Sequence, residues 1–126
     1  MNSKVILAVG IGGIIGSISR YLIGELLLQS NHFPLASIAV NLFGCFLLSF
    51  ILFQPWIKQA VQPWLFTGIT TGIIGSFTTF STITIELFDL WQKNIGLMFS
   101  YFIITIFGGL LCCYLGYRLA RRGDNY

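Results

Sequence analysis

Four long apolar stretches leave this chain one kind of environment to fold in. They run Val5–Leu28, Phe33–Phe53, Trp64–Trp91 and Ile95–Leu119. A helix crosses the hydrocarbon of a bilayer with about 20 predominantly apolar residues, and all four reach that length. Charge content agrees: 9% of the 126 residues are charged, where a soluble domain carries about 25%. The reading is an all-α integral membrane protein, one domain over 1–126, with transmembrane helices at about 4–28, 33–53, 63–90 and 95–119. The first stretch holds Arg20 and Glu25 and no small-residue cleavage site. It is expected to be a membrane helix rather than a signal peptide. The loops Gln29–His32, Gln54–Gln62 and Gln92–Asn94 are short. They leave no room for a soluble catalytic domain, so the chain does not read as an enzyme.

Charge placement gives an orientation. Four crossings put both termini on one side, with Lys4, Lys58, Arg118, Arg121 and Arg122. Lys93 stands opposite, and Arg20 lies within a segment. Basic residues in short loops favour the cytoplasm, so both termini are expected there, in a multi-pass protein of the cell membrane. The net charge of +3 sits at segment ends and carries no nucleic-acid signal. Cys45, Cys112 and Cys113 fall inside apolar segments and read as small core hydrophobes. His32 is a lone loop residue, and no Cys/His spacing suggests a metal site.

The third segment is the unusual one. Gly68, Gly72 and Gly75 loosen its backbone, and Ser76, Thr78, Thr79, Ser81 and Thr82 crowd its middle. Hydroxyls can re-satisfy a broken membrane helix where the break faces protein or a water-filled cavity. Broken helices of this kind build ion sites from unwound carbonyls and half-helix ends. A break is expected within Gly75–Thr79; tight packing through small and hydroxyl residues is the other reading. Phe77 and Phe80, three apart, would project from nearly one face if the helix persisted. A phenyl edge is positive and can favour a small anion, though two core aromatics explain the pair equally simply.

Polar residues elsewhere are few. Gly12 and Gly16 form a small-xxx-small packing pair. Arg20 either faces a vestibule, where it would attract anions, or snorkels to the interface near Glu25. Asn41 either bonds across to another helix or lines a pathway as an N–H donor. Glu86 lies a turn deeper than Asp89 and could stand in a pore mouth. Tyr101, Thr105 and Gly109, at spacings of four, form a stripe on the fourth segment. Gly108 and Gly109 otherwise read as a packing surface.

Three motifs carry a family resemblance across nearly the whole chain. Gly12-Gly13-Ile14-Ile15-Gly16-Ser17-Ile18-Ser19-Arg20-Tyr21, Val40-Asn41-Leu42-Phe43-Gly44, and Thr70-Thr71-Gly72 with Gly75, Thr78-Thr79-Phe80-Ser81-Thr82 and Glu86 together resemble the CrcB/Fluc family of small fluoride channels. The third is the most specific. The resemblance implies an opposed dimer of four-helix subunits with two narrow pores along their interface. It implies a central structural Na⁺ on the backbone carbonyls of Gly75 and Thr78. Asn41, Phe80, Ser81, Thr82, Tyr101 and Thr105 would contribute to the pore, with Arg20 and Glu86 at a vestibule. Two positions depart from the family pattern: Ile83 stands where a second Phe is usual, and Gly109 where the polar face commonly continues.

The expected function is passive, fluoride-selective export. Hydrogen-bond donors from hydroxyls and amides replace the ion's water without a fixed charge that would trap it. The strong basic bias fixes one orientation, so a heterodimer with an oppositely biased family chain is favoured over a homodimer of dual topology. Two rivals stand. A small multidrug-resistance-type exporter needs a mid-membrane carboxylate, but Glu25 and Glu86 lie towards segment ends. A structural membrane subunit would explain the glycines but not the hydroxyl run.

Overall fold

The computed structural model describes residues 2–27 and 34–123. Leu28, Phe33 and the first loop with His32 therefore lie outside the described residues. Among the described residues, four spans are long and apolar enough to cross a membrane: α1 (Ser3–Leu27), α2 (Leu35–Phe53), the composite Pro63–Lys93, and a last helix, Ile95–Arg122. No strand occurs among the described residues, and the protein is an all-α membrane protein. Between the second and third spans, where the sequence reads as a loop, a six-residue helix α3 (Pro55–Ala60) forms, with Pro55 at its start. Proline is suited to that position because its missing N–H has no helical partner there anyway.

The third span has four parts. It runs through α4 (Pro63–Thr67), a π-helical stretch Gly68–Ile74, α5 (Gly75–Phe77) and α6 (Ser81–Lys93). Every residue of Gly68–Ile74 is glycine or β-branched, a composition poor in α-helical propensity. The chain then leaves the helix at Thr78, whose backbone is extended at φ −83° and ψ 156°. Helix resumes at Ser81. The expected break is present, at Thr78–Phe80, and the π-helical stretch before it is a feature the sequence reading lacked. A one-residue turn at Asn94 links α6 to α7 (Ile95–Arg122); its Oδ1 accepts from the N–H groups of Gly96 and Leu97 at 2.9 and 3.3 Å.

Glycines decide how the spans pair. An added Cβ at Gly12 would strike the Gly68 carbonyl oxygen and lie 3.1 Å from the Gly72 Cα; one at Gly16 would strike the Ile73 carbonyl and the Ser76 hydroxyl. Residues 8, 12 and 16 of α1 thus meet 68, 72 and 76 in rising order, so α1 and the third span run parallel at backbone contact. The second pair is α2 with α7. There Gly108 meets Leu42, and Gly116 meets the backbone of Phe46 and Phe50. The Ser49 hydroxyl donates to the Cys113 carbonyl at 2.6 Å. Phe53 meets the Tyr117 ring edge-on at 4.8 Å. Gly108 packs as expected, whereas Gly109 is looser, with Cys45 Sγ 3.7 Å from where its Cβ would be. The three cysteines are free and half-buried.

Candidate functional site

The break at Thr78–Phe80 strips two carbonyls of their helical partners. The N–H of Thr79 turns to Asn41 Oδ1 at 2.8 Å, so it no longer serves Gly75 four residues back. The N–H of Thr82 turns to Thr79 Oγ1 at 3.3 Å, so it no longer serves Thr78. What remains on these oxygens is long: the Thr78 hydroxyl stands 3.5 Å from the Gly75 carbonyl, and Arg20 Nη1 stands 3.5 Å from the Thr78 carbonyl.

Asn41 clamps the break. Its amide oxygen takes the Thr79 N–H while its Nδ2 donates to the Thr79 carbonyl at 3.0 Å. Of the two sequence readings, the structure therefore shows the cross-helix bond, with one Nδ2 hydrogen left over. Thr79 in turn organises the start of α6. Its hydroxyl donates to Thr82 Oγ1 at 3.1 Å and lies 3.3 Å from Ser81 Oγ. The Ser76 hydroxyl folds back onto the Gly72 and Ile73 carbonyls, so it is spent on the helix it sits in.

Two clefts flank this clamp, and Thr79 lines both. One, of about 280 Å³, is bounded by Arg20, Glu25, Ser37, Thr82 and Glu86 as well. The other, of about 270 Å³, is bounded by Asn41, Phe80, Ile83, Thr105 and Gly109. The break brings most of the expected residues into these two clefts. Ser81 is exposed at the α6 start and lines neither of them. The Thr105 hydroxyl is buried, beside the Tyr101 phenol one turn earlier on α7.

Phe77 and Phe80 would share a face only on a continuous helix, and the break falls between them. Phe77 is buried edge-on against Phe43 at 6.2 Å, while Phe80 is 80% exposed. Tyr101 lines neither of these two clefts. It is fully buried, and its phenol donates to Glu86 Oε2 at 2.6 Å. Ser37 donates to the other carboxylate oxygen at 2.7 Å. Ser37 was missed; only its position four residues before Asn41, on the same face of α2, signals it.

These features define a class: a small four-span membrane protein with a broken helix, whose hydroxyls and freed carbonyls gather at mid-span. Residues 7–117 match the sequence model of the family described as CrcB-like protein, Camphor Resistance (CrcB). The chain is 40% identical over 120 residues to the Fluoride-specific ion channel FluC 2 of Geobacillus kaustophilus, covering 93% of each chain. It is 41% identical to FluC 1 of Bacillus anthracis, covering 94% of this chain and 89% of that one. It is also 41% identical to FluC 2 of Listeria innocua, covering 95% and 96%. The chain belongs to the CrcB family.

Proposed function

We propose that this protein is a fluoride channel subunit, conducting the ion passively down its gradient and performing no enzymatic reaction. The observation that carries this is the pair of clefts meeting at the Asn41–Thr79 clamp, in a chain that matches fluoride channels along nearly its whole length. The donors in the clefts are uncharged, Arg20 apart; of the two carboxylates bounding the first cleft, Glu86 has both oxygens hydrogen-bonded, to Ser37 and Tyr101, and Glu25 stands at its edge. Thr82 and Thr105 supply hydroxyls, Asn41 its remaining N–H, and α6 begins there with the positive end of its dipole. A strongly hydrated anion enters only where donors replace its water, and leaves only if none holds it too tightly. Phe80 would offer its ring edge to the passing ion. Ile83 has no polarised edge, so the path it lines is expected to conduct poorly.

A structural Na⁺ fits the donor set. The Gly75 and Thr78 carbonyls have lost their helical N–H partners, and unwound carbonyls suit Na⁺. The Arg20 guanidinium on the Thr78 oxygen leaves that oxygen a second lone pair. One chain supplies two such oxygens, and a second, oppositely oriented chain would supply the rest. Such a cation would add positive charge at the centre of the path and tie the two breaks together.

The partner is read as a different chain of the same family, with this chain held termini-inside in the plasma membrane. Five basic residues, Lys4, Lys58, Arg118, Arg121 and Arg122, mark one side against Lys93 on the other. The relatives' names, numbered FluC 1 and FluC 2, are consistent with more than one family chain in such organisms.

The functional test is anion efflux from liposomes, with this chain alone and with a second family chain. Fluoride leaves and chloride stays in at least one preparation; folded protein that passes neither, or both alike, refutes the assignment. Orientation is tested by cysteines placed at Asn2 and at Gln92 and labelled from each side of intact cells. Each labels from one side; labelling of both sites from both sides would replace the heterodimer with a homodimer.

A further inference from the structure

We propose that the groove between the second half of α2 and the end of α7 binds a membrane phospholipid with an anionic headgroup, in the leaflet where α7 ends. The groove encloses about 280 Å³ and is lined by Phe46, Leu115, Arg118, Leu119 and Arg122. Its two ends differ in chemistry. Arg118 and Arg122 are one turn apart on one side of α7, at the rim. Phe46 lies seven residues before the end of α2, so the apolar floor extends about 10 Å towards the bilayer centre at 1.5 Å per residue. A charged rim above an apolar trough of that depth matches a phosphate above the first part of an acyl chain.

The arginines are also unequally engaged. Arg121 is satisfied internally: its Nη1 donates to the Tyr117 hydroxyl at 2.9 Å, and its guanidinium stacks 5.4 Å from that ring. Arg118 and Arg122 make no ion pair or hydrogen bond among the described residues. Two guanidiniums with ten N–H donors between them are therefore left at the membrane surface, facing one groove. Guanidinium forks match phosphate oxygens two at a time. Leu115 and Leu119, 44% and 46% exposed, are apolar surface that a lipid chain covers and water does not.

The test titrates the purified protein in detergent with phosphatidylglycerol or phosphatidylcholine and counts retained lipids by native mass spectrometry. Phosphatidylglycerol is retained in preference. Each basic residue near the surface contributes about fivefold to anionic lipid binding, so Arg118→Gln with Arg122→Gln lowers the preference roughly tenfold or more. Lys4→Gln removes one basic residue from the same side but not from the groove lining; it lowers the preference about fivefold at most and reports what surface charge alone does. Three results overturn the proposal: equal retention of both lipids, undiminished preference in the double variant, or an equal fall in Lys4→Gln. Glycerol 1-phosphate separates lipid from free phosphate; displacement of the bound lipid by millimolar amounts of it would also overturn the lipid assignment. Because the double variant alters an exposed rim outside both clefts, fluoride efflux continues in it and certifies its fold.

Discussion

The two halves of the third span are built from similar small residues and do opposite things. In the first half, Gly68 and Gly72 lie buried against Ala8, Val9 and Gly12 of α1, with backbone on backbone. Its hydroxyls are turned inward on their own helix: Thr70 onto the Phe66 carbonyl at 2.9 Å, Ser76 onto Gly72 at 2.7 Å. In the second half, the hydroxyls of Thr79 and Thr82 line clefts, and Phe80 stands exposed. The break between them accounts for the difference. A hydroxyl on an intact helix can bond back to the carbonyl a turn behind it. Past the break the Thr79 and Thr82 hydroxyls bond to each other instead of to a carbonyl a turn behind, and they do so where the clefts open. The first half packs against α1, and the second half borders the clefts.

This contrast can be broken from either side. The largest effect is expected in the scaffold. Gly12→Val places side-chain atoms on the Gly68 carbonyl and the Gly72 Cα. Overpacking against backbone costs about 3 kcal/mol or more, and the variant should yield no assembled protein by size-exclusion chromatography. Next comes the clamp. Asn41→Leu leaves the Thr79 N–H and carbonyl unpaired, at about 1–3 kcal/mol for each group. Its thermal midpoint should fall well below wild type, and its flux should be lost with it. Smaller still is Tyr101→Phe, which removes one hydrogen bond to Glu86 and keeps the buried ring, at about 1–2 kcal/mol. The smallest effect belongs to Gly13→Ala. Nothing lies within 4 Å of the added Cβ, and alanine is the better helix former by about 1 kcal/mol. Its thermal midpoint should match or slightly exceed wild type. A large loss at Gly13, or none at Gly12, would contradict the pairing of α1 with the third span.

The spans and the break were legible because membrane burial writes them directly into the sequence. An uninterrupted apolar run has one solution in hydrocarbon, and a cluster of five hydroxyls in such a run has few. The Gly12/Gly16 contact was legible for the same reason. What could not be read was register. Phe77 and Phe80 share a face on any continuous helix, so only where the break falls within Gly75–Thr79, at Thr78, separates a core ring from an exposed one. Asn41 offers donor and acceptor alike, and its spacing says nothing of which backbone it meets. The pore role of Tyr101 was implied by the family resemblance; its burial against Ile38 and Leu90, from two other helices, has no local sequence signal. The groove at Arg118 and Arg122 joins two spans some 70 residues apart in sequence, and no local pattern announces it.

Fluoride efflux from liposomes carrying Phe80→Ile tests the division of scaffold from site most directly. The ring is 80% exposed and contributes nothing evident to the packing of its own chain. The variant should therefore assemble as wild type does, by size-exclusion chromatography and thermal midpoint, while its fluoride flux falls at least tenfold. Unchanged flux in normally assembled protein would show that Phe80 lies off the ion path, and that the second half of the third span is not the site described here.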